Sequence, residues 1–147
     1  MSVIRLTKEF SFEMAHFLPG YDGLCSNVHG HSYLLHVTVA GSPSDDPSSP
    51  KFGMVMDFSD LKKIVGEEVV GRLDHALMVR RGSVDPSSVK PITRRLVEVD
   101  YQPTCENMLV DFAGRISRRL PCGVRLVSLR LNETATSFAE WRAEDNA

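Results

Sequence analysis

The chain has 147 residues, of which 42% are apolar and 24% charged, and its formal net charge at pH 7 is -2. A chain of this length can bury one hydrophobic core without covalent cross-links, so we expect a single domain over residues 1–147. The slightly acidic balance argues against a protein that mainly binds polyanions, and nucleic acid is therefore not an expected partner.

The sequence predicts neither a membrane span nor an export signal. The amino-terminal segment lacks the apolar run of a signal peptide, and no apolar stretch approaches the ~20 residues that cross a bilayer. The three cysteines, Cys25, Cys105 and Cys122, are an odd number at unrelated spacings, which does not fit a disulfide framework. We therefore expect reduced thiols and a cytoplasmic protein that does not bind membranes.

Two strands are predicted near the amino terminus. Apolar side chains alternate from Ile4 to His16, which places His16 on the apolar face, and a second alternation starts at His29 and continues through His31. Strands joined by one loop most simply pair antiparallel, so the end of the first lies beside the start of the second. The three histidines should then converge on one face and could bind one metal ion. The alternative is that each is an ordinary half-buried histidine.

The next segments predict a helix and a basic loop. Asp57 or Ser59 could cap a helix that ends near Leu73, and the acid–histidine pair Asp74-His75 follows it. The pair could instead be two polar residues at a turn without any catalytic role. Residues 80–95 contain two prolines and five basic side chains and predict a loop. This loop is either a solvated surface or a weak candidate for holding a phosphorylated substrate.

A second helix is predicted after a short strand at residues 96–101. Thr104 is its expected N-cap, and Glu106 is favourable near the positive end of the helix dipole.

The carboxyl-terminal strands place a carboxylate on an apolar face. The alternation that begins at Arg125 brings Glu133 to the buried side, where an unpaired carboxylate costs several kcal/mol. A ligand with adjacent N–H donors, such as the amidine edge of a pterin or guanine ring, would satisfy both of its oxygens. The alternative is a strand-end residue that turns out to solvent. A final strand is expected from Thr136 to Arg142.

The order strand, strand, helix, short strand, helix, strand, strand resembles the 6-pyruvoyltetrahydropterin synthase and 6-carboxytetrahydropterin synthase family. Local motifs support the resemblance over nearly the whole chain and occur in the family's order. They are Phe12-Glu13-Met14-Ala15-His16, Cys25 with His29-Gly30-His31, Met56-Asp57-Phe58, Leu73-Asp74-His75, Pro103-Thr104-Cys105-Glu106-Asn107 and Glu133-Thr134.

The resemblance implies an α+β tunnelling fold, or T-fold. In that fold a four-stranded antiparallel sheet carries two helices on one face, and strands of several subunits assemble into a barrel. The family forms homohexamers, as dimers of trimers, with active sites at subunit boundaries. Independently of the family, the open edges of so small a sheet also favour oligomerisation.

The resemblance also assigns roles to individual residues. It implies that His16, His29 and His31 bind Zn²⁺ and that Cys25 is the catalytic base. Three imidazoles leave a coordination position open for substrate, as catalytic zinc sites do. A cysteine near a cation needs only a modest pKa shift to act as a thiolate at neutral pH.

Further residues are assigned to proton transfer and to the substrate. Asp74 and His75 would form a proton relay with the catalytic cysteine, the carboxylate orienting the imidazole. Glu133 would anchor the pterin ring, and Thr104 and Glu106 join it as substrate-binding residues.

The sub-branch of the family determines the product. Only three residues separate Cys25 from His29, a spacing typical of 6-carboxytetrahydropterin synthases, whereas the pyruvoyl branch usually has five. The resemblance thus implies conversion of 7,8-dihydroneopterin triphosphate to 6-carboxy-5,6,7,8-tetrahydropterin on the route to queuosine and other 7-deazapurines. One alternative is a 6-pyruvoyltetrahydropterin synthase. Another, of a different class, is a non-enzymatic domain in which Cys25 completes a structural Cys-His₃ zinc site.

Overall fold

Two long strands, β1 (Ile4–His16) and β2 (His29–Gly41), pair antiparallel in the computed structural model, which describes residues 1–147. Every second side chain of β1 is buried from Phe10 onward, because apolar residues at a period of two line one face of a strand. The register places His16 opposite His29. The predicted pairing, with the end of the first strand beside the start of the second, is confirmed.

Four shorter strands complete the sheet: β3 (Ala76–Arg80), β4 (Leu96–Val99), β5 (Arg125–Asn132) and β6 (Phe138–Arg142). The strand order is β4-β3-β1-β2-β5-β6. The neighbouring strands β1, β2, β5 and β6 pair antiparallel. Strand β3 is parallel to both of its neighbours, β1 and β4. The α+β class is confirmed, but the sheet has six strands rather than four and is mixed. The unpredicted strand β3 is buried at four of its five positions, so no alternation marks it in the sequence.

The helices are α1 (Phe58–Val65), α2 (Gly71–Leu73), α3 (Pro86–Val89) and α4 (Cys105–Ser117). Asp57 caps α1 by accepting a hydrogen bond from the Ser59 backbone N–H at 2.8 Å, which decides between the two expected caps. Thr104 caps α4 as predicted. The short α3 interrupts the segment expected to be loop. None of these helices has the length and apolar composition needed to cross a lipid bilayer.

The core lies between α1, α4 and one face of the sheet. The Phe12 ring of β1 stacks on Tyr33 of β2 at 5.1 Å between centroids and meets Phe112 of α4 edge-on at 6.5 Å. The opposite face of the hairpin remains polar, since Glu13 and Ser32 are exposed there and hydrogen-bond to each other. The sheet therefore has one apolar face under the helices and one polar face without them.

A β-bulge changes which residues at the start of β5 face the core. Val39 pairs with Leu126 and Thr38 with Ser128, which leaves Val127 as the extra residue. Leu126 is consequently buried in place of Val127. Beyond the bulge the expected alternation holds, because Leu129 and Leu131 are both fully buried and lead to Glu133.

The first long helix changes its winding before it ends. Between α1 and α2 the segment Gly66–Val70 is π-helical, and at Gly71 an added Cβ would lie 2.7 Å from the Gly66 carbonyl oxygen. Only glycine fits there without displacing backbone. A Cβ on Gly66 itself would meet no atom within 4 Å. The π-helical segment sets the point at which the chain leaves the helix for Asp74 and His75.

Two glycine substitutions should therefore have opposite effects. Gly66→Ala should leave the free energy of unfolding unchanged or raise it by up to about 1 kcal/mol, since alanine is the better helix former. Gly71→Ala should lower it by about 1–3 kcal/mol, because the new methyl group is forced against backbone. Urea denaturation followed by circular dichroism measures both. Equal effects of the two substitutions would contradict this account of the π-helical segment.

Candidate active site

The side chains of His16, His29 and His31 meet at one end of the hairpin. Their ligand-capable ring nitrogens all lie within 4.8 Å of one another, and the Nε2 atoms of His16 and His29 are 3.1 Å apart. The expected convergence is confirmed, and it follows from the register, since all three positions belong to the helix-covered face. We call these residues the histidine triad.

Backbone carbonyls orient two of the three rings. The Nδ1 of His16 lies 2.7 Å from the carbonyl oxygen of Pro103, and the Nδ1 of His29 lies 2.7 Å from that of Asn27. Because a carbonyl can only accept, each Nδ1 must carry a proton. In a neutral ring the Nε2 lone pair is then free to bind a metal, the arrangement that metal-binding histidines commonly show.

The Nε2 atoms of the triad cannot satisfy one another by hydrogen bonds, and a cation would satisfy them. With Nδ1 protonated, neutral His16 and His29 face each other with two lone pairs and no proton to share. The Nε2 of His31 is buried and has no hydrogen-bond partner. Burial also lowers the pKa of His31, which favours the neutral form that binds metals. The triad therefore fits a divalent metal ion.

Glu133 lies directly against the triad. Its Oε1 is 3.1 Å from the Nε2 of His31, without hydrogen-bonding geometry, and 3.4 Å from the Nε2 of His16. The adjacent His16 imidazole and the neighbouring His31 and His29 rings hold the pKa of Glu133 below its usual value, against the opposing effect of burial. The residue does not simply turn out to solvent, and its carboxylate adds negative charge where a cation would bind.

Tyr33 packs beside the triad and has no role in the sequence-based assignment. Its ring centroid lies 5.4 Å from that of His31 and 6.2 Å from that of His16. Its hydroxyl is buried without a hydrogen-bond partner, and burial raises the pKa of Tyr33 far above its usual value. The sequence signal was present, because Tyr33 continues the alternation of the two β2 histidines.

Cys25 lies in a 3₁₀ turn (Leu24–Ser26) within the connection between β1 and β2. The backbone N–H of Leu18 donates to the Cys25 carbonyl at 2.8 Å, and the Gln102 side chain donates to the Pro19 carbonyl at 3.0 Å. These bonds fasten the connection to itself and to the segment before α4. Cys25 is a half-buried free cysteine, and its thiol is not part of the cluster that the triad forms. The geometry does not support a closed Cys-His₃ site.

Of the two expected substrate residues at the start of α4, only Glu106 shares a cleft with Glu133. That cleft has a volume of about 130 Å³ and is also lined by Cys105 and Phe138. The hydroxyl oxygen of Thr104 accepts the Asn107 backbone N–H at 3.2 Å, so its present role is helix capping.

Asp74 and His75 form a pair at the entrance to β3. The Asp74 carboxylate accepts the Glu13 backbone N–H at 3.0 Å and lies 3.0 Å from the His75 Nδ1. The Glu13 hydrogen bond is the main cause that lowers the pKa of Asp74. His75 has φ 62°, in the left-handed region that is unfavourable for residues other than glycine. Backbone strain of this kind is concentrated at functional sites.

The Asp74–His75 pair adjoins the polar face of the sheet and one residue of the triad. His75 lines a cleft of about 340 Å³ together with Glu13 and Ser32, which belong to the polar face, and with His31. The strand alternation places the side chains of the triad on the other face. The His75 side chain is 74% exposed, so its imidazole is accessible from outside the chain. The sequence could not predict this placement, because the spacing along the chain does not show from which face a residue between a helix and a strand emerges.

The fold and the triad together define a T-fold protein with a candidate metal centre. The structure is similar to 6-pyruvoyltetrahydropterin synthase from Plasmodium vivax, with a TM-score of 0.73 and 19% identity over 96% of this chain and 98% of that one. The synthase from Caenorhabditis elegans gives a TM-score of 0.70 and 22% identity, with 97% of each chain covered. At such identities the likeness establishes the fold.

Sequence comparison establishes the family. The family model described as 6-pyruvoyl tetrahydropterin synthase matches residues 5–144. The 6-carboxy-5,6,7,8-tetrahydropterin synthase of Haemophilus influenzae is 37% identical over 95% of this chain and 99% of its own length. The enzyme of that name from Bacillus subtilis is 42% identical over 94% of this chain and 84% of its own. The chain belongs to the 6-pyruvoyl tetrahydropterin synthase family.

Metal content should depend on the triad alone. After dialysis against zinc and removal of free metal, the unmodified protein should retain about one ion per chain, and His31→Ala should lose it. His36→Ala is the matched control, since His36 lies on the same strand but pairs with Glu9 on the polar face at 3.1 Å. Elemental analysis measures both variants. Retention of a full equivalent by His31→Ala would contradict the assignment of the triad.

The cysteines should differ in their reaction with iodoacetamide. Cys105 is buried, its thiol donates to the Leu131 carbonyl, and burial raises its pKa to about 12. Because the pKa is raised, Cys105 should remain a protonated, unreactive thiol from about pH 7 to about pH 9. Cys122 is exposed and should be alkylated rapidly over the same range. Peptide mass spectrometry locates the label, and rapid labelling of native Cys105 would contradict its buried state.

Proposed function

We propose that this enzyme converts 7,8-dihydroneopterin triphosphate and water to 6-carboxy-5,6,7,8-tetrahydropterin, with release of acetaldehyde and triphosphate, as a zinc-dependent lyase. The observation that carries the proposal is the histidine triad, with its free Nε2 atoms beside the Glu133 carboxylate. Relatives over 94–95% of the chain that bear the 6-carboxy name support this branch over the pyruvoyl one. The short spacing between Cys25 and His29 favours the same branch.

Zinc is the metal that suits the triad best. Three imidazoles are a common protein ligand set of catalytic zinc, and they leave one position open for substrate. The ion would supply Lewis acidity to side-chain hydroxyls of the substrate and so make the adjacent C–H bonds easier to break. Pro103 and Asn27 would hold the ligands in the metal-binding tautomer through their carbonyl oxygens.

Residues around the triad would bind the pterin and move its proton. The ionised Glu133 carboxylate would accept two N–H bonds from the amidine edge of the ring, a bidentate arrangement that fixes the orientation of the ring. Glu106 lines the same cleft and would contact the ring or its side chain. The Thr104 hydroxyl oxygen accepts the Asn107 N–H, so this hydroxyl would use its hydrogen to donate a hydrogen bond to the substrate. Cys25, in the turn beside the start of β2, would act as the base that removes a substrate proton.

Asp74 and His75 would serve the active site of a neighbouring subunit. The His75 side chain is 74% exposed in its own chain, and its cleft is lined by Glu13 and Ser32 of the polar face as well as by His31. An assembly of several copies would bring that face to another chain's site, where Asp74 would orient His75 for proton transfer. We infer that the active form is a homohexamer built as a dimer of trimers. Light scattering that gives a monomer would contradict this inference.

The cellular setting is part of the proposal. The product would enter the route to queuosine and other 7-deazapurines. The three cysteines are free, which fits the reducing cytoplasm.

Product identification tests the reaction. Incubation with 7,8-dihydroneopterin triphosphate should give acetaldehyde and triphosphate in equal amounts, because the side chain is cleaved in the carboxy branch. Aldehyde derivatisation with mass spectrometry measures the first product, and anion chromatography measures the second. Consumption of substrate with triphosphate but no acetaldehyde would identify a 6-pyruvoyltetrahydropterin synthase instead.

Replacement of Cys25 separates catalysis from structure. Cys25→Ala should lower turnover by about 10²–10⁴-fold, the usual contribution of a general base. It should leave metal content and the thermal midpoint unchanged, since the thiol lies outside the triad. Cys122→Ala is the control at an exposed cysteine and should change neither activity nor metal. Loss of metal and stability in Cys25→Ala would instead support the structural Cys-His₃ site.

A further inference from the structure

A second cluster of functional side chains lies at the far end of the sheet from the histidine triad. Arg5 of β1, Ala40 of β2 and Arg125 of β5 stand side by side in one row of cross-strand partners. The next row on the same face consists of hydroxyl-bearing side chains and a third arginine, namely Thr7, Thr38, Ser128 and Arg142. Apart from Ala40, which is fully buried, the residues of these two rows line a cleft of about 470 Å³, which we call the arginine cleft.

Two of the three guanidinium groups are free to bind a ligand. Arg5 and Arg125 are exposed and take part in none of the ion pairs of the structure. Arg142 lies 3.5 Å from Glu144 and 3.6 Å from Glu140, and Glu144 also lines the cleft. Since the whole chain has a net charge of -2, this excess of positive charge is a local feature and not a general property of the surface.

The shape and lining of the cleft favour phosphate groups. The hydroxyl oxygens of Thr7 and Thr38 lie 2.8 Å apart on its floor. Guanidinium groups donate paired hydrogen bonds to phosphate oxygens, and hydroxyls add single ones. No aromatic ring lines the cleft, so nothing there would stack on a nucleobase or a pterin.

We propose that the arginine cleft binds an inorganic polyphosphate ion, such as diphosphate or triphosphate. The cleft is not the phosphate subsite of the chain's own active site. Arg5 and His16 are eleven positions apart on β1, which at ~3.3 Å per residue is about 36 Å, and they project from opposite faces. The proposal stands on the cleft itself and is independent of the reaction proposed above.

Binding of inorganic triphosphate to the metal-loaded, full-length protein tests the proposal. Isothermal titration at low ionic strength should detect binding that the double variant Arg5→Gln/Arg125→Gln weakens about tenfold or more, and added salt should weaken it further. Lys62→Gln/Lys63→Gln on α1 removes the same charge from exposed, unpaired lysines and should bind as the unmodified protein does. Both arginines are exposed, so the thermal midpoint should stay unchanged and report an intact fold.

Several results would overturn the proposal. They are the absence of triphosphate binding to the unmodified protein, equal binding to the arginine double variant, and equal weakening by the lysine control. Tighter binding of GTP than of inorganic triphosphate would assign the cleft to a nucleotide. A raised KM of the arginine variant for dihydroneopterin triphosphate would place these residues in a substrate site. An unchanged KM together with lost triphosphate binding would support a separate site, whatever product the enzyme forms.

Discussion

The register between β1 and β2 is the constraint on which the site depends. Successive side chains of a strand point to opposite faces, so a slip by one residue would move His29 and His31 to the polar face. The same slip would carry Leu35 and Val37, both fully buried, out of the core. Each such side chain contributes about 1.5–3 kcal/mol through burial. The hydrophobic packing under the helices therefore also keeps the three histidines of the triad on one face, and backbone carbonyls orient two of their rings.

The part of the site that the sequence predicts is the part that depends on this hairpin. His16 ends one alternation and His29 begins the next, so adjacency of consecutive strands was enough to bring them together. Thr104 could be identified as a cap because the chemistry of helix capping is local. Glu133 required one further step, the phase of β5. That phase held from Leu129 onward even though the bulge at Val127 had shifted the residues before it.

The features that the sequence does not predict depend on contacts between distant segments. Strand β3 is a short apolar run without alternation, and only its parallel pairing with β1 and β4 defines it as a strand. The carbonyl oxygen that orients His16 belongs to Pro103. Every residue has a backbone carbonyl, so the residue types in the sequence do not show which one will accept this hydrogen bond. The arginine cleft joins residues from the beginning and the end of the chain. Its rows exist only because β2 lies between β1 and β5 with a particular register.

Strand β1 links the two functional faces of the sheet. Its last residue, His16, is a candidate metal ligand on the apolar face, while the backbone of Glu13 holds both Asp74 and the strained His75 at the polar face. A shift of β1 would displace both groups together, so their relative position is as rigid as the central strand of the sheet. In the proposed hexamer each β1 would contribute His16 to one active site and position His75 for another. In that assembly the strained backbone of His75 would hold the exposed imidazole where a neighbouring chain could reach it.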